Sequence, residues 1–214
     1  MSVRILLADD HQLFREALRV LLEKESSLEV VAETGDGLEV LPLAQELSPD
    51  IVCMDISMPG MNGIETTRRL RTACPGIKVI GLSAFSDQRY ILEMLNAGAA
   101  GYVTKAAAGD QLLQAIDAVR REERYLCPDA ATAISRAPGA VPDNNADLAG
   151  RLGPRERQVL QLVAEGHTSA QIAGHLQMTP STVEVHRRNI MRKLDLHNIA
   201  DLTRFAVRCG LTPG

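Results

Sequence analysis

The 214-residue sequence has no Trp, only three Phe and only three Tyr. Its cores must be packed from Leu, Ile, Val, Ala and Met, a composition that suits a helix-rich protein. Cysteine is also sparse. Cys53, Cys74, Cys127 and Cys209 show neither C-x-x-C nor Cys/His spacing, which argues against a metal or redox role and for free thiols in a reducing compartment. No apolar run approaches a membrane span, and "MSVRILLADDHQ" meets two acids too soon for a secretory signal. A cytosolic protein with no membrane partner is expected. With 45% apolar and 23% charged residues, the chain has room for one large or two modest globular domains. The net charge of −4 hides an asymmetry. From Arg151 onward nine Lys/Arg face five Asp/Glu, or +4, whereas the preceding residues hold fourteen against twenty-two, or −8. A basic C-terminal part suggests that this end meets a polyanion.

The first 120 or so residues alternate two patterns: "VRILLA" then "HQLFREALRVLLEKE", "LEVVAE" then "GLEVLPLAQEL", "IVCM" then "GIETTRRLRTA", "IKVIGLSA" then "DQRYILEMLNAG", "GYVT" then "AAGDQLLQAIDAVRRE". Nearly continuous apolar strands separated by amphipathic helices predict a five-stranded parallel sheet, doubly wound, with helices on both faces. Right-handed crossovers then bring the C-terminal end of every strand to one edge, and with it Asp9, Asp10, Asp55, Ser83, Ala84 and Lys105. "RYLCPDAATAISR" reads as room for one short helix, and the Pro/Gly/Asn/Asp-rich "APGAVPDNNADLAG" as a linker. From about Gly150 the pattern is helical only, four short helices making a smaller all-α domain. The expected divisions are 1–122, a linker over 123–149, and 150–214.

"DIVCMDISMPGMNG" places Asp55 where an apolar strand ends and a loop begins, the edge at which open α/β sheets bind ligands. Three carboxylates gathered in one cleft repel each other, and a hard divalent cation such as Mg²⁺ relieves that repulsion. With the Ser83 hydroxyl and the Lys105 ammonium, this set can receive a phosphoryl group on a carboxylate. "LLADDHQLFREAL", "DIVCMDISMPGMNGIE", "GLSA" and "GYVTK" resemble the receiver domain of two-component response regulators. The resemblance implies Asp55 as phosphoacceptor. It implies Asp10, Asp55 and the Ser57 carbonyl as Mg²⁺ ligands, with Asp9 acting through a metal-bound water. It further implies that Lys105 contacts the phosphoryl group, Ser83 moves to meet it, and Tyr102 rotates inward, changing the surface of the fourth helix and fifth strand. His11 reads as a helix-start residue, and Pro59 and Gly63 as residues that shape the loop.

In the tail, "SAQIAGHLQMTPSTVEVHRRNIMRKL" reads as helix, turn, helix, with Thr179 as N-cap and Pro180 in the first position of the second helix. Val183, Ile190 and Leu194 mark a core face, and Glu184, Arg188 and Arg192 form another stripe flanked by Arg187 and Lys193. Such a helix suits the major groove, where Arg reads guanine and Glu accepts from cytosine. The pattern "RLGPRERQVLQLVAEGHTSAQIAGHLQMTPSTVEVHRRNIMRKL" resembles the LuxR-type helix-turn-helix, and its pairing with a receiver resembles the NarL/FixJ class. Carried over by position, Glu184, Val185 and Arg188 face base edges, while Thr182, Arg187 and Lys193 hold the DNA backbone. Leu202, Phe205, Ala206 and Val207 of the last helix would serve dimerisation. Three positions depart from the pattern: Gly153 replaces a Ser/Thr cap, Ala170 a common basic residue, and Glu184 a frequent Lys. Glu184 also stands four residues before Arg188, a spacing suited to an ion pair.

Together these resemblances imply a transcription factor switched by a sensor histidine kinase, dimeric when phosphorylated, with promoter half-sites and RNA polymerase as candidate partners. Two alternatives stay open. One keeps DNA binding but makes the receiver a phosphorylation-independent dimerisation or ligand-sensing module. The other is an aspartyl-phosphate phosphatase, which would need D-x-D after the first strand where this chain has adjacent Asp9 and Asp10.

Overall fold

Six parallel strands order the N-terminal part of the chain. The computed structural model describes residues 2–84, 88–135, 152–196, 198–209 and 211–212, and the chain divides into two compact units, Met1–Pro138 and Gly139–Gly214. In the first unit strands β1 (Val3–Ala8), β2 (Leu28–Thr34), β3 (Ile51–Asp55), β4 (Lys78–Ser83) and β5 (Gly101–Thr104) alternate with helices α1 (Gln12–Glu23), α2 (Gly37–Leu47), α3 (Gly63–Ala73), α4 (Gln88–Ala97) and α5 (Ala108–Arg120). Successive strand residues point to opposite faces, and both faces are covered. Ile5, Leu7, Ile51 and Cys53 pack with Leu18 and Leu22 of α1 and Leu112 and Ile116 of α5. Leu6, Ala8, Val52 and Met54 pack with Val40 of α2, Leu70 of α3 and Met94 of α4. This is why the strands read as unbroken apolar runs.

The strand order is β2-β1-β3-β4-β5-β6. It reverses direction between β1 and β3, and the C-terminal ends of those two strands carry Asp9 and Asp55. The sixth strand departs from the five expected. Tyr125–Leu126 (β6) pairs in parallel with β5, in register Gly101 with Tyr125 and Tyr102 with Leu126, and helix α6 (Pro128–Ser135) follows it. The Tyr125 and Cys127 amides donate to the Ala100 and Tyr102 carbonyls at 3.1 and 3.0 Å, satisfying groups that would otherwise form an open sheet edge. Cys127 and Ala130 are fully buried in the core with Tyr102. The segment 123–149, expected as a linker with room for one short helix, does contain that helix as α6. Its first part belongs to the sheet unit, and 136–149 lies outside the described residues. A two-residue strand has no periodicity to read.

In the second unit α7 (Pro154–Ala164), α8 (Ser169–His175), α9 (Pro180–Leu194) and α10 (Ile199–Arg208) supply the four helices expected. Thr179 caps α9 by accepting from the Thr182 amide at 3.2 Å, and Pro180 holds its first position. Thr168 caps α8 in a reciprocal pair with Gln171. At Gly153 only half of such a box exists: Glu156 Oε2 accepts from the Gly153 amide at 2.7 Å, so the missing hydroxyl is partly replaced. Val159, Leu160, Ile172, Val183, Ile190, Leu194, Leu202 and Phe205 build the core.

Candidate functional site

Local folding brings the acidic residues together. β1 is followed directly by Asp9, whose amide donates to the Thr34 carbonyl at 3.0 Å and whose Oδ1 accepts from the His11 amide at 2.9 Å. β3 ends in Asp55, whose Oδ1 accepts from the Ser57 amide at 3.2 Å. After the Pro59–Gly60 turn the chain re-enters at Gly63, whose amide donates to the Ile56 carbonyl at 2.9 Å. A Cβ on Gly63 would stand 1.9 Å from the Asp55 carbonyl oxygen. Only glycine lets α3 start this close to the strand mouth.

Asp9 and Asp55 are almost fully buried. From the end of β5, Lys105 Nζ reaches 2.7 Å from Asp55 Oδ2 and 2.7 Å from Asp9 Oδ2. The second contact is close but not directed as a hydrogen bond, which leaves Asp9 Oδ2 without a hydrogen-bond partner. Burial first, and then the charge of Asp9, push the Asp55 carboxyl up to about 6; the hydrogen bond and charge of Lys105 oppose this. Asp10 is partly exposed, with its Oδ1 2.7 Å from His11 Nδ1.

One ligand atom from each of Asp9, Asp10, His11 and Asp55 lies within 4.8 Å of the others. Three carboxylates face one ammonium, a surplus of negative charge in a desolvated cleft, and together with the unsatisfied Asp9 oxygen this donor set fits a hard divalent cation. The proximity of His11 to all three carboxylates was not legible in the sequence, because it follows from where the start of α1 lies over the sheet.

Ser83 is buried at the end of β4, one residue past Leu82, which faces Asp55 across the sheet. Ala84 beside it is exposed. Tyr102 is fully buried in the core against Met94 and Cys127, in space left by the missing side chain of Gly81, whose Cβ would stand 3.4 Å from the Tyr102 ring. Its ring thus lies inward. Cys53, fully buried, has its thiol pushed up to about 12 by burial, as expected of an inert core cysteine. None of the four cysteines is in a disulfide.

The second candidate site lies on α9. Thr182, Glu184, Val185, Arg188, Arg192 and Lys193 are exposed. Arg192 donates to Asn189 Oδ1 at 3.1 Å. Two expected phosphate contacts are engaged within the domain. Lys193 Nζ lies 2.7 Å from Glu156 Oε2. Burial pushes Glu156 upward, but Lys193 and the Gly153 amide outweigh it and hold the carboxyl below its ordinary value. Arg187 is mostly buried and donates to Ser169 Oγ and Glu184 Oε1, each at 2.9 Å. Glu184 therefore pairs at i,i+3 with Arg187 rather than at i,i+4 with Arg188. Ser169 on α8, which also donates to Glu184, carries no signal of this role in the sequence.

Of the residues expected to serve dimerisation, Leu202, Phe205 and Ala206 are buried in the domain's own core and Val207 is partly exposed. A ten-residue helix carries one apolar stripe, and here that stripe closes its own domain.

Residues 5–117 match the family described as "Response regulator receiver domain", and residues 151–206 match "Bacterial regulatory proteins, luxR family". The chain is 34% identical over 209 residues to "Response regulator GacA" of Pseudomonas aeruginosa, covering 98% of this chain and 97% of that one. It is also 34% identical over 213 residues to "Oxygen regulatory protein NreC" of Staphylococcus aureus, covering 96% and 97%. Among solved structures it is similar to a two-component response regulator of the LuxR family from Aurantimonas sp. SI85-9A1, at 38% identity and a TM-score of 0.61 over 63% of this chain and 96% of that one. With a flavodoxin-like receiver followed by a LuxR-type helix-turn-helix, the chain belongs to the response regulators of the NarL/FixJ type.

Proposed function

We propose that this response regulator is a sequence-specific transcription factor switched by Mg²⁺-dependent phosphorylation of Asp55 by a sensor histidine kinase in the cytoplasm. The observation that carries the proposal is the position of Lys105 Nζ, 2.7 Å from both Asp9 Oδ2 and Asp55 Oδ2 at the ligand-binding edge of the sheet. Burial makes the Asp55 carboxylate more basic and hence a better nucleophile, and Lys105 keeps it ionised near neutral pH. A carboxylate oxygen attacks phosphorus and the donor leaves. Lys105 and the Ser57 amide then lie beside the new phosphoryl oxygens.

Asp10, Asp55 and the Ser57 carbonyl would hold Mg²⁺, and Asp9 would reach it through water. When bound, the ion neutralises charge spreading over the transferring oxygens. Ser83 and Ala84, at the end of β4, would meet the phosphoryl group, and Ser83 would pass its displacement to Tyr102. On DNA, Glu184, Val185 and Arg188 would face base edges while Thr182 and Arg192 hold phosphates, with two chains on paired half-sites and RNA polymerase as a further partner.

The alternative is a regulator that binds DNA without phosphorylation, its receiver serving as a dimerisation or ligand-sensing module. One experiment separates the two. Wild-type protein and Asp55→Asn are incubated with acetyl phosphate, with and without Mg²⁺, and followed by intact mass and by DNA binding. The expected result is a Mg²⁺-dependent, base-labile adduct on the wild type alone that strengthens DNA binding. Equal DNA binding by both proteins under all conditions favours the alternative.

A further inference from the structure

The pairing of Ser169 and Arg187 with one oxygen of Glu184 bears on which base this regulator selects, an inference that rests on the DNA-binding reading above. Both partners contact Oε1: the Ser169 hydroxyl donates to it, and Arg187 Nη1 donates to it at 2.9 Å while also donating to Ser169 Oγ at 2.9 Å. The three side chains join the first residue of α8 to the middle of α9. The Glu184 side chain is nonetheless about half exposed, whereas that of Arg187 is only one-fifth exposed, and among the described residues Oε2 has no partner. The carboxylate is therefore held at one oxygen and open at the other.

An unpaired carboxylate brought up to DNA meets a phosphate field that repels it. Here the Arg187 guanidinium neutralises it from the domain side and orients it at little entropic loss, since the side chain is already held. In the major groove a carboxylate needs a donor. Guanine and thymine present only acceptors beside the thymine methyl, and adenine presents N6–H₂ next to the N7 acceptor, which a carboxylate also faces. Cytosine presents N4–H₂ with no adjoining acceptor.

We infer that Ser169 and Arg187 are positioning residues that hold Glu184 as a cytosine-selecting acceptor on the recognition helix. Arg187 thereby supports base reading and does not contact phosphate. Val185, 48% exposed on the adjoining position, suits the thymine methyl beside that cytosine.

The test is selection from a randomised duplex library by the full chain, with and without acetyl phosphate, repeated for Glu184→Ala, Glu184→Gln and Ser169→Ala. The wild type should enrich cytosine at one position of each half-site. Both Glu184 variants should lose that preference, of roughly tenfold, while the rest of the motif stays as it is. Ser169→Ala should weaken the same preference, with thermal unfolding and binding to random duplex unchanged. Glu184→Gln keeps the size and polarity of the side chain, so loss of fold in Glu184→Ala would not hide the answer. An unchanged base preference in the Glu184 variants would overturn the inference while leaving the DNA-binding reading in place, and a Ser169→Ala effect on stability alone would remove the positioning role. No enriched sequence for the wild type under either condition would overturn both.

Discussion

Asp55 is the residue on which stability and chemistry pull in opposite directions. Its carboxyl is pushed from an ordinary 3.8 up to about 6 by burial and by Asp9, against the pull of Lys105. Between those values the folded state binds more protons than the unfolded one, so Asp55 costs stability above about pH 6 and the cost disappears as the pH falls toward 4. Asp55→Asn should therefore stabilise the receiver near neutral pH by up to about 3 kcal/mol, less whatever Lys105 loses with its partner. Urea unfolding should show that gain shrinking in acid, and a gain independent of pH would refute the buried charge as its origin. Because only the ionised carboxylate attacks phosphorus, adduct formation should slow as the pH falls through about 6, and a bound divalent cation should move that fall lower. Gly63 supports the same residue. Gly63→Ala sets a methyl group against the Asp55 carbonyl and should cost roughly 1–3 kcal/mol as well as lower adduct yield, both read on one preparation.

At the scale of elements, the β6–α6 segment is the addition that most changes how the receiver is built. It closes the edge of the sheet beside Tyr102 and packs α6 against α4 and β5, the same elements through which a receiver's altered surface would be expressed. Burying a carboxylate there should be costly. Ala130→Asp is expected to destabilise the first unit by about 3 kcal/mol or more, whereas Ala131→Asp, on the exposed side of the same helix, should be near neutral. Thermal unfolding of the two variants gives the comparison. In the tail, Lys193 links α9 to the start of α7 through Glu156, so Lys193→Ala should lower the stability of that domain by about 1 kcal/mol in addition to any effect on DNA. A variant with wild-type stability would return Lys193 to the role of a simple surface cation.

For the whole molecule, the charge of +4 from Arg151 onward sets the scale of electrostatic attraction to DNA, and the internal pairing of Arg187 and Lys193 limits how much of it is free to act. Arg192 is exposed on α9. Arg192→Ala should weaken specific and random duplexes alike and reduce the salt slope by about 1. Arg188→Ala should instead lose affinity mainly on the preferred site. Fluorescence anisotropy across a salt series distinguishes the two, and equal losses on both duplexes for Arg188→Ala would remove it from base reading.

The sequence by itself determined the alternating strands and helices, the acids at the strand ends, Lys105 after β5, the Thr179–Pro180 start of α9 and its Val183–Ile190–Leu194 face. All of these are local: a period, a cap, a breaker or a charge at a strand mouth is written in adjacent residues. What only the tertiary structure decided depends on distant partners. Leu202, Phe205 and Ala206 look the same in sequence whether they cover their own core or a second chain. Tyr125–Leu126 is too short to announce a strand and exists because β5 offers it an edge. That Arg187 meets Ser169 and Glu184, and Lys193 meets Glu156, depends on how α7 and α8 pack against α9, since a long cationic side chain takes whichever acceptor the fold places within its reach.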